Sequence, residues 1–454
     1  MAVSARRRIW GWWFFDWASQ PYSTLLLTFI FAPYFAEVAR AHYGAVGAGI
    51  DPAAAAQATW ATGQTVAGVA IALAAPVLGA IADGSGRRMA WIWLFSAFYV
   101  AGAAGLWWLA PDAPALTQAL VFFGIGLVGM ELATIFTNAL MPDLATLEGM
   151  GRLSGYGFAF GYLGGIVALV IFLAFFAENS ATGRTLIGIE PVLGLDAARR
   201  EGTRAVGPFV ALWYVLFMVP FFLWVREAPA RGPARGILRS LAALGALLAA
   251  LGRRRSLAAY LGASMLYRDA LNALYAFGGI YASGVLGWSV TRIGAFGIAG
   301  AISAAVFSWI GGRADSARGP KPVIRTSMAV LVAVCLVIAG MSREAFWGIP
   351  FAPGSPAPDI IFYACGCLIG AAGGTLQAAS RTMMVFHAAP GRATEAFGLY
   401  ALSGKATAFV APFLIAVATA ASGSQRIGIA LPLISLFLAG MLLLRWVDPY
   451  GERA

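Results

Sequence analysis

Long apolar runs recur along the whole chain, separated by short polar breaks. Many reach the roughly 17 to 25 residues that a hydrocarbon layer about 30 Å thick demands of a helix. About twelve can be placed, starting near Trp12, Trp60, Met89, Leu116, Gly157, Pro208, Leu257, Ile293, Val323, Ile360, Phe397 and Ile427. They are rich in Leu, Ala and Gly and do not alternate in character, which argues against transmembrane strands. Of the 454 residues, 60% are hydrophobic and 11% charged, and the mean hydropathy is +0.78; a soluble globular chain carries about 25% charged residues. The fold class expected is an all-α membrane protein.

Arg6, Arg7 and Arg8 precede the first run, and Ala39-Arg40-Ala41 imitates a signal-peptidase site. The run is too long for a signal core and is interrupted by Asp16, Gln20 and Pro21, so it is read as the first helix. With the amino terminus in the cytoplasm, most of the 31 Lys and Arg residues fall on cytoplasmic segments, and both termini are expected there. The net charge of +11 is therefore scattered among inner loops, not clustered as nucleic-acid binding requires. Trp12, Trp13, Trp107 and Trp108 read as interfacial anchors. Cys335, Cys365 and Cys367 fall in expected helices, where they act as small apolar residues and not as a metal or disulfide site. The two histidines, His42 and His387, are expected in or near loops, which leaves carboxylates for any proton chemistry inside the membrane.

Between the sixth and seventh runs lies the basic segment Arg226 to Arg255. It divides the chain into an amino-terminal half, 1–226, a cytoplasmic linker, 227–255, and a carboxy-terminal half, 256–454. Leucines at 241, 244, 248 and 251 give the linker the spacing of a surface-lying amphipathic helix. A crossing there would reverse the sidedness of everything downstream. After the second run comes GAIADGSGRR, Gly79 to Arg88; after the eighth comes GGRADSARGPK, Gly311 to Lys321. Each holds Gly, three residues, Asp and a basic turn, as two parallel, pseudo-symmetric six-helix halves would give. Glycines in such a loop allow close helix approach, while Asp83 can face a helix amino terminus.

At these residues the chain resembles the major facilitator superfamily, whose signature loop reads G-x-x-x-D-[RK]-x-G-[RK]-[RK]. Gly79, Asp83, Gly86, Arg87 and Arg88 match it, with Gly84 where a base is expected; in the looser second copy Gly311 and Asp315 match. The stretches FFDWASQPYSTLLLTFIFAPYF, FTNALMPDLATLEGMGRLSGYGFAFGYLGG, GGTLQAASRTMMV and EAFGLYALSGKATAFVAPFL are similar to the vacuole effluxer, autophagy-related branch of that superfamily. The resemblance covers nearly the whole chain. It implies the major facilitator fold, about twelve helices in two halves, and a transporter whose loop 79–88 acts in conformational gating. Fungal members are associated with release of amino acids from the vacuole; for bacterial members the cargo is less defined.

A transporter of this plan binds cargo near the bilayer midplane and exposes it to each side in turn, and the resemblance implies a cavity lined by the first, fourth, seventh and tenth helices. Polar residues sit at helical spacing on those runs. Asp16 and Gln20 lie on the first, Glu131, Thr134 and Asn138 on the fourth, Arg268, Asp269 and Asn272 on the seventh, and Gln377 and Arg381 on the tenth. Lys405 stands apart on the eleventh. Asp16, Gln20, Glu131, Asn138, Arg268, Asp269, Asn272, Gln377 and Arg381 are the candidates for substrate binding or coupling, since ionisable residues inside a membrane are costly. Arg268 and Asp269 are set about 100° apart around a helix and cannot neutralise one another face to face. Candidate partners are Asp16 or Glu131 for Arg268, Arg381 for Asp269, and the cargo itself.

The expected function is secondary transport of a small polar or zwitterionic solute, amino acids being favoured by the resemblance, with protons as the coupling ion. The alternative is a non-transporting solute sensor or scaffold on the same fold. No Walker-type loop and no H-E-x-x-H motif occurs, so neither an ATPase nor a zinc enzyme is indicated. The expected partners are the solute, protons and membrane lipid, without nucleic acid, metal or cofactor. The expected setting is a monomer in a cell membrane, the bacterial inner membrane being favoured.

Overall fold

The computed structural model describes residues 3–47, 51–227 and 236–451, and among these the chain is almost entirely helical. In chain order the helices are α1 Ala5–Pro21, α2 Phe31–Val46, α3 Pro52–Ser85, α4 Arg88–Gly105, α5 Leu116–Asn138, α6 Met150–Phe175, α7 Glu201–Arg204 and α8 Val206–Trp224. They continue with α9 Ile237–Ala250, α10 Arg255–Gly284, α11 Val290–Arg318, α12 Pro320–Gly340, α13 Ala357–His387, α14 Ala393–Ala406, α15 Val410–Ser422 and α16 Gln425–Leu443. Two-residue strands, Ala345–Phe346 and Ile349–Pro350, form a small hairpin between α12 and α13.

Eleven helical stretches among the described residues are long and apolar enough to cross a membrane. The twelfth crossing is α10. Its 30 residues reach about 45 Å at 1.5 Å per residue, but Ser256, Ser264, Arg268, Asp269, Asn272 and its tyrosines lower its hydropathy. By contrast α9, with 14 residues, extends about 21 Å and is too short for a layer of about 30 Å. Observed helices begin before the apolar runs do, α6 at Met150 instead of Gly157 and α14 at Ala393 instead of Phe397. Apolarity marks the lipid-embedded part of a helix, whereas backbone hydrogen bonding continues into polar first turns.

Two spans are interrupted, and proline explains both. In the first, Ala5–Val46, a π-helical segment at Tyr22–Phe29 follows Pro21, and the Ile30 N–H reaches back to Leu25 O at 2.9 Å. Pro21 and Pro33 each withhold an N–H from the α-helical ladder, and a π-bulge absorbs the mismatch. In the eleventh, expected as one helix, α14 ends at Ala406 and α15 begins at Val410. Pro412 has no N–H to give Ala408 O and fits only in the first turn of a new helix.

The chain forms two compact units. One comprises Met1–Ala74, Gly86–Thr137 and Phe160–Pro229; the other comprises Ala75–Ser85, Asn138–Ala159 and Ala230–Ala454. Within the first, α4 and α5 approach so closely at Gly102 and Gly129 that a side chain at either would strike the backbone of the other helix. Small residues at such crossings are how helices gain packing contact in lipid. Buried aromatics lock this unit: Tyr22 Oη donates to Phe123 O at 2.7 Å, and the Tyr99 and Tyr214 rings stack 3.9 Å apart. Trp12 belongs to that core and is not an interfacial anchor. It is fully buried, and its Nε1 donates to Thr137 O at 2.9 Å. In the second unit α11 packs along α13 through Gly300, Gly366 and Gly370.

Candidate functional site

The adjacent charges on α10 both turn to the interrupted eleventh span. Arg268 Nη1 donates to Tyr400 O at 2.7 Å, and its guanidinium lies 4.0 Å from the centre of the Tyr400 ring. Gly404, one turn on, leaves the room that the guanidinium occupies. Asp269, 3% exposed, accepts the Ala411 N–H on Oδ2 at 2.8 Å. Ala411 stands in the first turn of α15, where backbone donors have no intrahelical acceptor. A cation thus lies against the carboxy-terminal part of α14 and an anion at the start of α15, each matched to its helix dipole. Asp269 makes no ion pair with Arg381, because the break created by Pro412 gives its carboxylate a nearer donor.

Arg381 on α13 is 4% exposed and organised by neutral groups of the segment 138–159. Its Nε donates to Ser154 Oγ at 2.9 Å, its Nη2 to Ser154 O at 2.8 Å and its Nη1 to Asn138 Oδ1 at 3.2 Å. The Phe158 ring centre lies 4.4 Å from the guanidinium carbon. Arg381 and Asn138, both expected from the sequence, are therefore brought together. Ser154, which holds Arg381 twice and donates to Ala378 O at 2.7 Å, was not expected. A lone serine on a glycine-rich helix gives no signal in sequence.

On α10, Tyr260 Oη donates to the Ser380 carbonyl at 2.6 Å and Tyr267 Oη lies 2.8 Å from the Ser380 hydroxyl. Both histidines, expected in or near loops, belong to spanning helices, His42 to α2 and His387 to the last turn of α13. His387 closes α13, 3% exposed, with Ser256 Oγ 2.8 Å from Nε2 and Met383 O 2.9 Å from Nδ1. A buried hydroxyl and a backbone carbonyl satisfy both ring nitrogens.

The remaining candidates fall as follows. Asp16 and Gln20 are half-buried on α1 and lie along α6, where Gly161 and Gly165 leave space for them. Glu131 is half-buried on α5, and Gln377 half-buried on α13, one turn before Arg381. Asn272 is exposed on α10. Among the described residues, no three His, Cys, Asp or Glu side chains gather as a metal site requires.

The two signature loops each bring a helix end against a helix start. Asp83, closing α3, accepts Thr394 Oγ1 at 2.6 Å and the Glu395 N–H at 2.8 Å, so it faces the amino terminus of α14. Gly79 packs on the backbone of Thr394 and Glu395, and Gly398 on that of Ala75 and Pro76. Gly86 turns the chain with φ of +64°, a region open to glycine at little cost. The next residues enter the first unit, where the Arg88 and Met89 N–H groups donate to Glu227 at 2.8 and 3.1 Å; Arg87 is exposed. In the second copy Asp315 packs against Gly151 at the start of α6, and Arg152 N–H donates to Ser316 Oγ at 2.9 Å. Here Gly312, not Gly311, meets α6, against Gly155; Gly311 packs on Thr375 of α13.

Twelve long helices, two loop copies of one pattern and ionisable side chains held inside the spans define a secondary transporter of the major facilitator type. The chain belongs to the vacuole effluxer Atg22-like family, whose sequence profile matches residues 145–451. A curated relative, the uncharacterized MFS-type transporter YxiO of Bacillus subtilis (strain 168), is 26% identical over 441 residues, covering 96% of this chain and 94% of YxiO. Among solved structures, the human organic anion transporter MFSD10 superposes with a TM-score of 0.72 at 16% identity, over 97% of this chain and 99% of that one. The E. coli fucose:proton symporter FucP gives 0.69 at 16% identity, over 98% and 99%. At such identities these structures establish the fold alone.

Proposed function

We propose that the protein moves a small polar or zwitterionic solute carrying a carboxylate, amino acids foremost, by alternating access and with proton coupling. The setting proposed is the bacterial inner membrane, as a monomer with both termini in the cytoplasm. One observation carries the reading. Arg268 spends one N–H on a neutral carbonyl, its charge lies over a ring face, and the neighbouring Asp269 is committed to Ala411. No carboxylate pairs with Arg268 among the described residues. An intramembrane guanidinium with donors to spare is suited to a bidentate carboxylate. Arg381, pre-oriented by Ser154 and Asn138, is the second candidate anchor, and Glu131 and Asp16 are the candidate proton carriers.

A thermal-shift screen of the purified protein against amino acids, peptides and sugars tests the reading, because a ligand that binds the folded state stabilises it. Carboxylate-bearing solutes are expected to stabilise the parent, and Arg268→Lys to bind them at least about tenfold more weakly, since an ammonium cannot supply two parallel hydrogen bonds. Stabilisation by uncharged sugars alone, or unchanged affinity in Arg268→Lys, would defeat it. Counterflow in proteoliposomes separates transport from sensing: a sensor binds the solute without moving it.

A further inference from the structure

The helix α9 in the linker is apolar on two faces. Ser240 and Leu244 are buried, 3% and 6% exposed, and form the side turned to the protein. The opposite side presents Leu238, 83% exposed, and the exposed Ala242, Gly245, Ala246 and Ala249, while Leu248, 46% exposed, lies on the flank one turn beyond Leu244. The leucines at 241, 244, 248 and 251 thus share one side of the helix, from buried Leu244 to exposed Leu248, and the outer face is carried by Leu238 with alanines and glycine. A helix with apolar residues all round requires an apolar covering on its outer face as well. The chain from Gly236 to Ser256 carries Arg239, Arg253, Arg254 and Arg255 and no acidic residue, and Arg239, Arg253 and Arg255 are exposed. Apolar area joined to exposed arginines is the composition that lies in the interface of an anionic bilayer.

This helix is hydrogen-bonded to the signature-loop contact. Arg392 Nη2 donates to Ala243 O of α9 at 3.2 Å, and the same guanidinium holds Glu395 at 2.6 and 2.7 Å. Glu395 in turn gives its N–H to Asp83. One arginine therefore joins the middle of α9 to the helix start that Asp83 caps.

We propose that α9 docks on the anionic phospholipid surface of the membrane and, through Arg392, tightens the contact between Asp83 and the start of α14, so that lipid charge sets the gate. The observations that fix the partner are the exposed apolar face and the one-signed charge around it. A helix of 14 residues lying flat keeps Ala243 within reach of Arg392.

The experiment is hydrogen exchange on the full-length protein in nanodiscs, one set of phosphatidylcholine alone and one of two parts phosphatidylcholine to one part phosphatidylglycerol. No cargo is needed. With the anionic lipid, amides of 238–251 and of 394–398 are expected to exchange roughly fivefold more slowly or better, as a local opening equilibrium shifts. Replacing Arg239, Arg253 and Arg255 together by Gln is expected to abolish that difference while leaving exchange in phosphatidylcholine unchanged. Leu238→Ser with Leu248→Ser removes the apolar anchor by a second route, with the same expected loss. Equal exchange in both lipids would overturn the proposal, as would a difference that survives the arginine replacements. Slowing confined to α9, without 394–398, would overturn the transmission through Arg392.

Discussion

The two signature loops occupy equivalent places in the repeat and solve the same problem with different atoms. At the first, the carboxylate of Asp83 takes two hydrogen bonds from the start of α14. At the second, Asp315 sits 4% exposed against the start of α6 and, among the described residues, takes no backbone N–H from it; the Thr382 hydroxyl is the side-chain donor beside its carboxylate. Ser316 caps that helix instead, through Arg152 N–H. Glycine at the crossings, Gly398 in one and Gly155 in the other, lets both pairs of helices close to backbone contact. The packing is thus duplicated while the charge chemistry is not. A carboxylate that accepts charge-assisted bonds holds a helix end firmly; a hydroxyl cap holds it with about half that strength or less. The end closed by Asp83 is accordingly the stronger latch, and breaking it should matter more.

Asp83→Asn tests that ranking with the largest effect. The amide oxygen can still accept the Glu395 N–H, with its NH2 turned to the Thr394 hydroxyl, but charge leaves the amino terminus of α14 and the bonds are no longer charge-assisted. Hydrogen bonds to a charged group contribute about 1.5 to 3 kcal/mol, so exchange at Glu395 should accelerate between about tenfold and a hundredfold. If the contact acts on helix rearrangement, as proposed, counterflow should slow with cargo affinity nearly unchanged. Exchange at Glu395 equal to the parent's would show that Asp83 latches nothing. Ser316→Ala comes next. Removing a hydroxyl cap costs about 1 kcal/mol, roughly a fivefold faster exchange at Arg152, without change at Glu395. An effect reaching Glu395 would mean that the two latches are one unit, and the comparison would fail.

How much of this could be read in the residues depends on what each one needs as a partner. The spans were legible because lipid demands length and apolarity, and α10 because two charges stood out in it. Asp83 at a helix start was legible too, since the loop pattern and the helix dipole together name the chemistry. The partners of Arg268 and Asp269 were not, although Pro412 carried the clue: a proline inside an apolar run exposes backbone donors that a carboxylate can take. Trp12 was misjudged because tryptophan near a helix end suits an interface as well as a core, and only the Thr137 carbonyl decides between them. His387 was expected in or near a loop, and it closes α13 because that helix runs past its apolar stretch. The preference for Gly311 over Gly312 followed from aligning the two loops by their aspartates, whereas the glycine that meets α6 is set by which residue faces Gly155.

The smallest effect is expected for Asp315→Asn, and it is the sharpest test of the asymmetry. Burying a polar group is costly when hydrogen bonds do not compensate it, and here the parent already bears most of that cost, since among the described residues no backbone N–H donates to either oxygen and only the Thr382 hydroxyl stands beside them. The amide matches the carboxylate in shape, so Gly151 still packs against it and its oxygen can still face the Thr382 hydroxyl. What is lost is a charge near the start of α6, worth about 0.3 to 1 kcal/mol, and what is gained is relief from burying that charge, of opposite sign. The two should nearly cancel. Exchange at Arg152 should therefore stay within about twofold of the parent's, and the melting temperature within about 1 °C. A loss as large as that of Asp83→Asn would mean that Asp315 is a working latch in its own right, and that the two ends of the repeat are equals.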